Sequence, residues 1–303
     1  MKRELDDFLL DCQMRNLSPR TIHSYGVYVS DFLKYAEGEH GITEIREVTP
    51  DIIKRWMVAQ MDRGVAAITV AGRYTDLHSF FGYLQREGIL EANPIKKVRP
   101  PKYTSKIVQT FSEEDIRRLL GALDRTRFFG VRDYALILTL LDTGLRASEA
   151  CGLTAGDVDL VDGSLKVAEG QGRHIKGRRE RIVAVGNRVR RELSRYLMER
   201  EKHFKDCPND WLFPSRDGTR LNKDSLRRII ARIGKKAHLK NVRTSPHTFR
   251  HTYAKRFLLN GGDIFSLQKQ LGHRTLEMVR KYVNLFGPEV KEQQRRFSPA
   301  DRI

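Results

Sequence analysis

Three hydroxyl–proline pairs mark where helices begin, and they constrain the fold of this 303-residue chain more than any other feature. They are Ser18-Pro19, Thr49-Pro50 and Ser245-Pro246. A serine or threonine hydroxyl accepts a free backbone N–H at a helix start, and proline is well suited to the first helical position. Apolar side chains at helical spacing accompany the pairs, as in Ile22, Val29 and the segment after Ser245. The pattern predicts a mainly α-helical protein.

The first hundred residues predict a small bundle of four helices. One helix lies near Leu5–Cys12, two begin at Ser18-Pro19 and Thr49-Pro50, and one runs through Leu77–Leu84. A bundle of this size is common to many helical binding and dimerisation modules. The pattern therefore predicts a first domain over residues 1–92 and leaves its function open.

The stretch 93–109 is predicted to be a linker between two domains. It holds three prolines and five lysine or arginine residues, without a sustained helical or strand period. Basic side chains on such a linker can follow the phosphates of a nucleic acid. The second domain is then expected over residues 110–303, with a C-terminal tail from about residue 285.

The second domain is expected to mix helices with a small β-sheet. Ser112 and Asp115 form a capping box before one helix, and a strongly apolar helix spans 134–141. Two short runs, SLKVAEG and RIVAV, alternate as strands do and flank a basic, glycine-rich loop. The sequence thus predicts a hairpin whose loop extends towards solvent or towards a polyanion.

The net positive charge of the protein comes entirely from the second part of the chain. Residues 1–100 carry 14 basic and 14 acidic side chains, whereas residues 101–303 carry 42 and 24, which accounts for the net charge of +18. A basic protein can simply have a solvated charged surface. An excess confined to one domain, with a pI near 10.0, is more typical of nucleic-acid binding. The stretch 223–240 adds an amphipathic helix with a basic face.

A cluster of polar residues between 247 and 282 indicates a site that binds an anion and acts on it. His247, Arg250 and His251 are spaced three and four residues apart and share one stripe of a helix. His273 follows a glycine at the end of the next helix, and Tyr282 lies nine residues further on. Each residue alone has an ordinary packing interpretation. A zinc site at the two helical histidines is the weaker hypothesis, because Thr248 stands where a metalloprotease has glutamate.

In order and spacing, these residues resemble the signature of the tyrosine recombinases, the family that includes phage integrases and Xer proteins. Arg146 lies in LDTGLRASEACGL, and a lysine, the H-x-x-R motif, the LGH motif and the tyrosine follow it. The resemblance implies an N-terminal helical core-binding domain and a C-terminal mixed α/β catalytic domain. It assigns six catalytic residues: Arg146, Lys176, His247, Arg250, His273 and Tyr282.

Lys176 is assigned by aligning IKGRRERIVAVG with the family pattern G-K-G-x-x-R-x-V-P-L. The chain departs from that pattern at Ile175 and Ala184, and a second pair of glycines lies upstream at Gly170 and Gly172. The alternative is a loop that only grips phosphates. Its arginines would then bind phosphates without taking part in the reaction: Arg173, Arg178, Arg179 and Arg181.

The resemblance implies a mechanism without metal, cofactor or ATP. Arg146 and Arg250 would stabilise charge on the phosphate, with His273 as a further donor. Tyr282 would attack the phosphorus with His247 as the base, because a phenol of pKa about 10 needs activation. Lys176 would protonate the departing 5′-hydroxyl. The product would be a 3′-phosphotyrosyl link that a second 5′-hydroxyl can reseal. Glu149, one turn after Arg146, could orient that arginine or lie on a helix surface.

The implied partners are double-stranded DNA sites and further copies of the chain. The family assembles as four protomers on two sites and exchanges C-terminal segments, so we expect a monomer that becomes a tetramer on DNA. The compact size resembles Xer proteins more than larger phage integrases. Two alternatives remain: a type IB topoisomerase-like nicking and closing enzyme, and a catalytically inert DNA-binding regulator. The sequence leaves dimer resolution and mobile-element integration equally open.

Cysteine usage and hydropathy predict a cytoplasmic protein. Cys12, Cys151 and Cys207 are far apart and form no C-x-x-C pair, which argues against a disulfide framework. Acidic residues interrupt the N-terminal segment where a secretory peptide would be apolar, and no apolar run is long enough to span a bilayer.

Overall fold

The chain forms two compact units, residues 1–106 and 107–303, each with its own core. The computed structural model describes residues 1–104, 109–168, 180–273, 275–279, 291, 294–298 and 300–302. Helices predominate and the described strands form one three-stranded sheet, so the predicted mainly α fold with a small β-sheet is confirmed.

The first unit is a bundle of four helices: α1 (Lys2–Met14), α2 (Pro19–His40), α3 (Pro50–Asp62) and α4 (Ala67–Arg86). The predicted caps are present, since Ser18 accepts a hydrogen bond from the N–H of Thr21, and Thr49 accepts one from Ile52. An aromatic core joins the helices, with Phe32 packed edge-on against Trp56. Large buried aromatic side chains thus hold the unit together.

The start of the predicted linker packs into the core of the first unit, whereas the sequence predicted that it would connect the two domains. A 3₁₀ turn spans Pro94–Lys97, and Ile95 and Val98 are buried in the core of the first unit. The carbonyl of Val98 also accepts a hydrogen bond from Tyr74 at 3.0 Å. Apolar residues between prolines carry no period that sequence reasoning could detect, and burial alone assigns them to the bundle.

The second unit contains seven helices and the sheet within its described residues. The helices are α5 (Glu113–Gly121), α6 (Phe128–Thr143), α7 (Ala147–Ala150), α8 (Asn187–His203), α9 (Lys223–Lys236), α10 (Pro246–Leu259) and α11 (Ile264–Leu271). Most of α6 is buried, and α8 and α10 pack against it. A helix that is apolar on nearly all sides belongs in the centre of a domain. The predicted capping box at Ser112 is present at the start of α5.

The sheet has the strand order β1 (Val158–Asp159), β2 (Ser164–Ala168) and β3 (Glu180–Ala184), and both pairings are antiparallel. Leu165 pairs with Val183, and both side chains are buried, so the alternation predicted for the two longer strands is confirmed. The two-residue strand β1 carries too little pattern to be predicted from sequence. The connection 169–179, which includes Lys176, lies outside the described residues.

Candidate functional site

The turn between α6 and α7 holds Arg146 at the edge of the site. Gly144 ends α6 with φ +61°, and a Cβ there would lie 2.5 Å from Cδ1 of Tyr253 and 2.8 Å from Cδ2 of Leu271. A side chain at 144 would therefore clash with α10 and α11, besides being strained in the left-handed region. Arg146 then caps α7 and remains half-exposed.

Arg250 lies deeper in the same site and joins three segments. It is 3% exposed. Its Nη1 donates to the carbonyl of Gly144 at 2.7 Å, and its Nη2 donates to the carbonyl of Leu271 at 2.8 Å. Nη2 also lies 2.6 Å from Nε2 of His273, which must be the acceptor because a guanidinium has no lone pair to offer. One buried cation thus fixes the two glycine turns and His273 together.

Gly272 closes α11 with φ +62° and delivers His273 to the site, as the sequence predicted. His273 is 9% exposed. The carbonyl of Gly272 lies 3.5 Å from Nη2 of Arg146, so the Gly272–His273 turn lies beside both Arg146 and Arg250. The structure therefore brings three of the six predicted residues together.

Glu149 connects Arg146 to Arg181, which the sequence predicted only as one of four phosphate-binding arginines of the loop. Oε1 of Glu149 accepts from Nη1 of Arg146 at 2.9 Å, and Oε2 accepts from the backbone N–H of Arg146 at 2.8 Å. The hypothesis that Glu149 orients Arg146 is confirmed. Both carboxylate oxygens also accept from Arg181, at 3.1 Å from Nη1 and 2.9 Å from Nη2. Glu149 therefore binds two arginines at once.

Burial of Glu149 by itself would raise the pKa of its carboxyl group. The hydrogen bonds and charge of Arg181, together with the backbone N–H and charge of Arg146, outweigh that effect and hold the pKa of Glu149 below its ordinary value of 4.5. Glu149 is therefore ionised at neutral pH. A buried, ionised carboxylate between two guanidinium groups is a fixed counter-ion for both.

Arg181 was expected only as one of several phosphate-gripping residues of the loop. It lies on β3, its side chain is 12% exposed, and its Nε donates to the carbonyl of Gln270 at 3.0 Å. The alternation of inward-facing and outward-facing residues along the strand could have identified Arg181 as an inward-facing residue. Arg181 shares a face with the buried Val183, whereas Ile182 points to solvent, so Arg181 had to face inward.

His247 lies in the first turn of α10, one turn before Arg250, and is exposed. The predicted start of this helix is confirmed, since Ser245 accepts from the N–H of Thr248 at 3.2 Å and Pro246 is the first helical residue. His251 lies one turn further, and the centres of the two imidazole rings are 6.2 Å apart. Tyr282 and Lys176 lie outside the described residues.

Helix α9 adds a basic surface to the same unit. It buries Leu226, Ile230 and Ile233 against the core, as its predicted amphipathic pattern requires. Its solvent side carries five basic residues: Arg227, Arg228, Arg232, Lys235 and Lys236. This face is a cationic strip that suits a polyanion.

The described residues contain neither a metal-binding cluster nor a membrane-spanning helix. Among the residues that the structure describes, no three histidine, cysteine, aspartate or glutamate side chains lie close enough together to hold a metal ion. No helix in the described ranges is both long and apolar enough to cross a bilayer.

Comparison with known sequences identifies the class of protein. Residues 109–287 match the phage integrase family, and residues 5–88 match the N-terminal SAM-like domain of phage integrases. The chain therefore belongs to the phage integrase family of tyrosine site-specific recombinases.

Among individual relatives, the chain is similar to the Xer proteins, as the sequence analysis expected. It is 32% identical over 305 residues to tyrosine recombinase XerC of Pelotomaculum thermopropionicum, covering 97% of each chain. It is 29% identical to tyrosine recombinase XerD of Listeria monocytogenes, covering 94% of each chain. These two relatives match nearly the whole chain, including both units.

Solved structures share the fold. The crystal structure of XerA recombinase is 28% identical, with a TM-score of 0.55 over 98% of this chain and 99% of that chain. The structure of XerH site-specific recombinase bound to a palindromic difH substrate is 21% identical, with a TM-score of 0.74 over 92% and 80% of the two chains. The helical domain followed by a mixed α/β domain is thus the architecture of known recombinases.

Proposed function

We propose that this protein cuts and rejoins DNA strands at specific sites through a 3′-phosphotyrosyl intermediate, without a metal ion or ATP. The observation that carries the proposal is the meeting of Arg146, Arg250 and His273 around the turn at Gly272. Two guanidinium groups and an imidazole on one small surface suit a phosphodiester. Duplex DNA is accordingly the proposed substrate, with the basic face of α9 as part of its binding surface.

The two arginines are suited to the transition state of phosphoryl transfer. Attack on phosphorus adds negative charge to the nonbridging oxygens, and cations held in place beforehand stabilise that charge most effectively. Arginine stays charged at every working pH and offers paired donors that match two oxygens. The hydrogen bonds of Arg250 to two carbonyls hold its side chain rigidly. His273 is the proposed further donor to the phosphate.

Tyr282 is the proposed nucleophile, His247 its base and Lys176 the general acid. The phenolic oxygen bonds to phosphorus while its proton passes to His247, and the bond from phosphorus to the 5′-oxygen breaks. Lys176 protonates the departing oxygen, which leaves as a 5′-hydroxyl. Attack by another 5′-hydroxyl reverses each step and regenerates the phenol. The number of phosphodiester bonds is therefore conserved.

Strand exchange requires several active sites, and we propose that a monomer assembles into a tetramer on two DNA sites. The C-terminal segment from about residue 285 is the candidate for exchange between protomers. Part of it is described, and there Nη1 of Arg296 donates to the carbonyl of Leu259 of the same chain at 3.1 Å. In the monomer, the described part of this segment therefore contacts its own domain.

Two other functions predict different products. A type IB topoisomerase-like enzyme would relax supercoiled DNA but would not exchange strands between two sites. An inert DNA-binding regulator would do neither. A supercoil-relaxation assay beside a two-site exchange assay separates the three, and exchange between two sites is the expected result.

The chemical step is tested with a nicked duplex that traps the covalent adduct. Its sequence is recovered by selecting bound duplexes from a random pool, and the nick lets the short cleaved strand diffuse away. The wild-type protein should form an adduct that Tyr282→Phe cannot form while still binding the duplex. An adduct that persists in Tyr282→Phe refutes the proposed nucleophile, and a wild-type protein that binds without any adduct refutes the proposed function.

A further inference from the structure

Arg181 is a charged residue of the site to which the proposed mechanism gives no role. It lies on β3, yet its guanidinium reaches Glu149 on α7 and the carbonyl of Gln270 near the end of α11. Its side chain is 12% exposed, whereas that of Arg146 is 36% exposed. Arg181 is thus the more buried of the two arginines that share the carboxylate of Glu149.

We propose that Arg181 is a positioning residue for DNA cleavage: its buried charge balances Glu149, so that Glu149 holds Arg146 in place without cancelling the positive charge that Arg146 presents to the phosphate. The inference rests on the proposed function, in which Arg146 binds the phosphate that is cut.

The charge arithmetic of this network supports the role. Glu149 with Arg146 alone would be a neutral pair, because the carboxylate lies within hydrogen-bonding distance of the guanidinium and is 2% exposed. In such a buried position water screens the pair poorly, so Arg146 would attract a phosphate only weakly. Arg181 brings the sum of the three groups to one positive charge. Arg146 is the most exposed of the three side chains and is therefore the one that a phosphate can reach.

The geometry fixes Arg181 firmly enough for this role. Its two terminal nitrogens bind the two oxygens of Glu149 as a fork, and its Nε binds a backbone carbonyl. This arrangement uses the planar shape that distinguishes arginine from lysine. Gly272 leaves room for it, since a Cβ there would lie 2.9 Å from Nη1 of Arg181. The residue next to Gly272 is His273, so the same contact borders the turn that carries a second proposed phosphate ligand.

A purely structural role for Arg181 predicts a different pattern in a double variant. If Arg181 only packs β3 against α7, removing Glu149 as well should add damage. If Arg181 balances charge, Glu149→Gln in the Arg181→Met background should restore activity, because the amide keeps most of the shape of the carboxylate and leaves Arg146 with its full charge. Whether the double variant cuts faster or slower than Arg181→Met therefore separates the two roles.

The experiment compares five proteins on the nicked duplex described above, measuring the single-turnover rate of adduct formation, duplex affinity and thermal melting. They are the wild type, Arg181→Met, Arg181→Met/Glu149→Gln, Arg181→Lys and the control Arg190→Met. Arg190 is an exposed arginine on α8 that donates to the carbonyl of Val161. The control removes the same charge away from the site.

We expect Arg181→Met to slow adduct formation about 10- to 100-fold, somewhat less than the loss of a direct transition-state donor. The double variant should regain about tenfold of that rate. Arg181→Lys keeps the charge and should stay within about tenfold of the wild type, which guards against a misfolded methionine variant. Arg190→Met should cut at the wild-type rate.

Three results would overturn the inference. One is a folded double variant that cuts no faster than Arg181→Met. Another is a folded Arg181→Lys as slow as the methionine variant. A third is an unaffected rate in Arg181→Met itself. All three require a wild-type adduct that depends on Tyr282, and its absence would instead refute the proposed function.

Discussion

The two units differ in how they use buried polar groups. In the first, Nε1 of Trp56 and Nε2 of Gln60 both donate to one oxygen of Asp31, in a bundle whose core is mainly aromatic and aliphatic. In the second, Arg250 is buried against two carbonyls and a histidine. The first arrangement satisfies its polar groups within the bundle. The second places the guanidinium groups of Arg146 and Arg250 beside the turn at Gly272, and this arrangement suits the binding of a phosphate.

The comparison separates residues that maintain the fold from residues that are proposed to act on DNA. In the first unit, loss of a large side chain should reduce stability and leave the chemical step of bound protein unchanged. In the second unit, loss of an arginine should reduce the chemical step beyond any effect on stability. Four experiments test this division, beginning with the largest effect.

Arg250→Ala should abolish most activity because it removes a proposed phosphate ligand and releases two backbone carbonyls and His273. A loss of about 10³-fold or more in the single-turnover rate of adduct formation is expected. Arg250→Lys should recover little, since one ammonium cannot bridge the carbonyls of Gly144 and Leu271. A folded Arg250→Ala protein that forms the adduct within tenfold of the wild-type rate would contradict this assignment.

Trp56→Ala should have the largest effect on the stability of the first unit. The indole is fully buried, packs against Phe32 and donates to Asp31, so its loss should cost about 3–5 kcal/mol of unfolding free energy. Urea unfolding followed by circular dichroism measures the change. Trp56→Phe, which keeps the ring but loses the N–H, is the matched control and should cost less. Equal losses of unfolding free energy in the two variants would show that packing of the ring is not the main contribution to stability.

Two carboxyl groups should respond to pH with opposite signs. The pKa of Glu149 is lowered in the folded protein, so its contribution to stability is present above its ordinary value of 4.5 and is lost as pH falls through the folded value. In the first unit, burial raises the pKa of Asp76 above its ordinary value of 3.8, although Ser24 donates to it. Its stabilising contribution is therefore complete below 3.8 and is lost as pH rises through the folded value.

Glu149→Gln should accordingly destabilise the protein at pH 7, with a cost that shrinks towards acidic pH. Asp76→Asn should be neutral or stabilising at pH 7, because the amide still accepts from Ser24 without a buried charge. Urea unfolding between pH 7 and 3.5 measures both differences. The same pH trend in the two variants would show that their environments do not differ as described.

Two matched helix caps provide the smallest test. Ser18 begins α2 in the first unit and Ser245 begins α10 in the second, and each hydroxyl accepts one backbone N–H. Substitution by alanine should cost about 1 kcal/mol of unfolding free energy in each case. Only Ser245→Ala should also slow the adduct reaction, because α10 carries His247 and Arg250. Equal rates in the two variants would mean that the cap does not position these residues.

Much of the fold could be predicted because it depends on local signals. The hydroxyl–proline pairs, the capping box at Ser112 and the glycine at 272 act within a few residues of their own position. Strand β1 and the packing of Ile95 and Val98 could not be predicted, since neither segment has a periodic pattern. Their placement depends on neighbours that are distant in the sequence.

The sequence by itself determined the helices that carry a cap or a clear apolar period, the hairpin, the concentration of positive charge in the second part and the set of polar residues that resembles a recombinase. Only the tertiary structure decided which charges meet: Glu149 between Arg146 and Arg181, and Arg250 beside His273. The physical reason is the distance along the chain over which each kind of interaction acts. Helix caps and strand alternation act between near neighbours in the chain, whereas a buried carboxylate selects its partners from side chains that folding brings within about 3 Å.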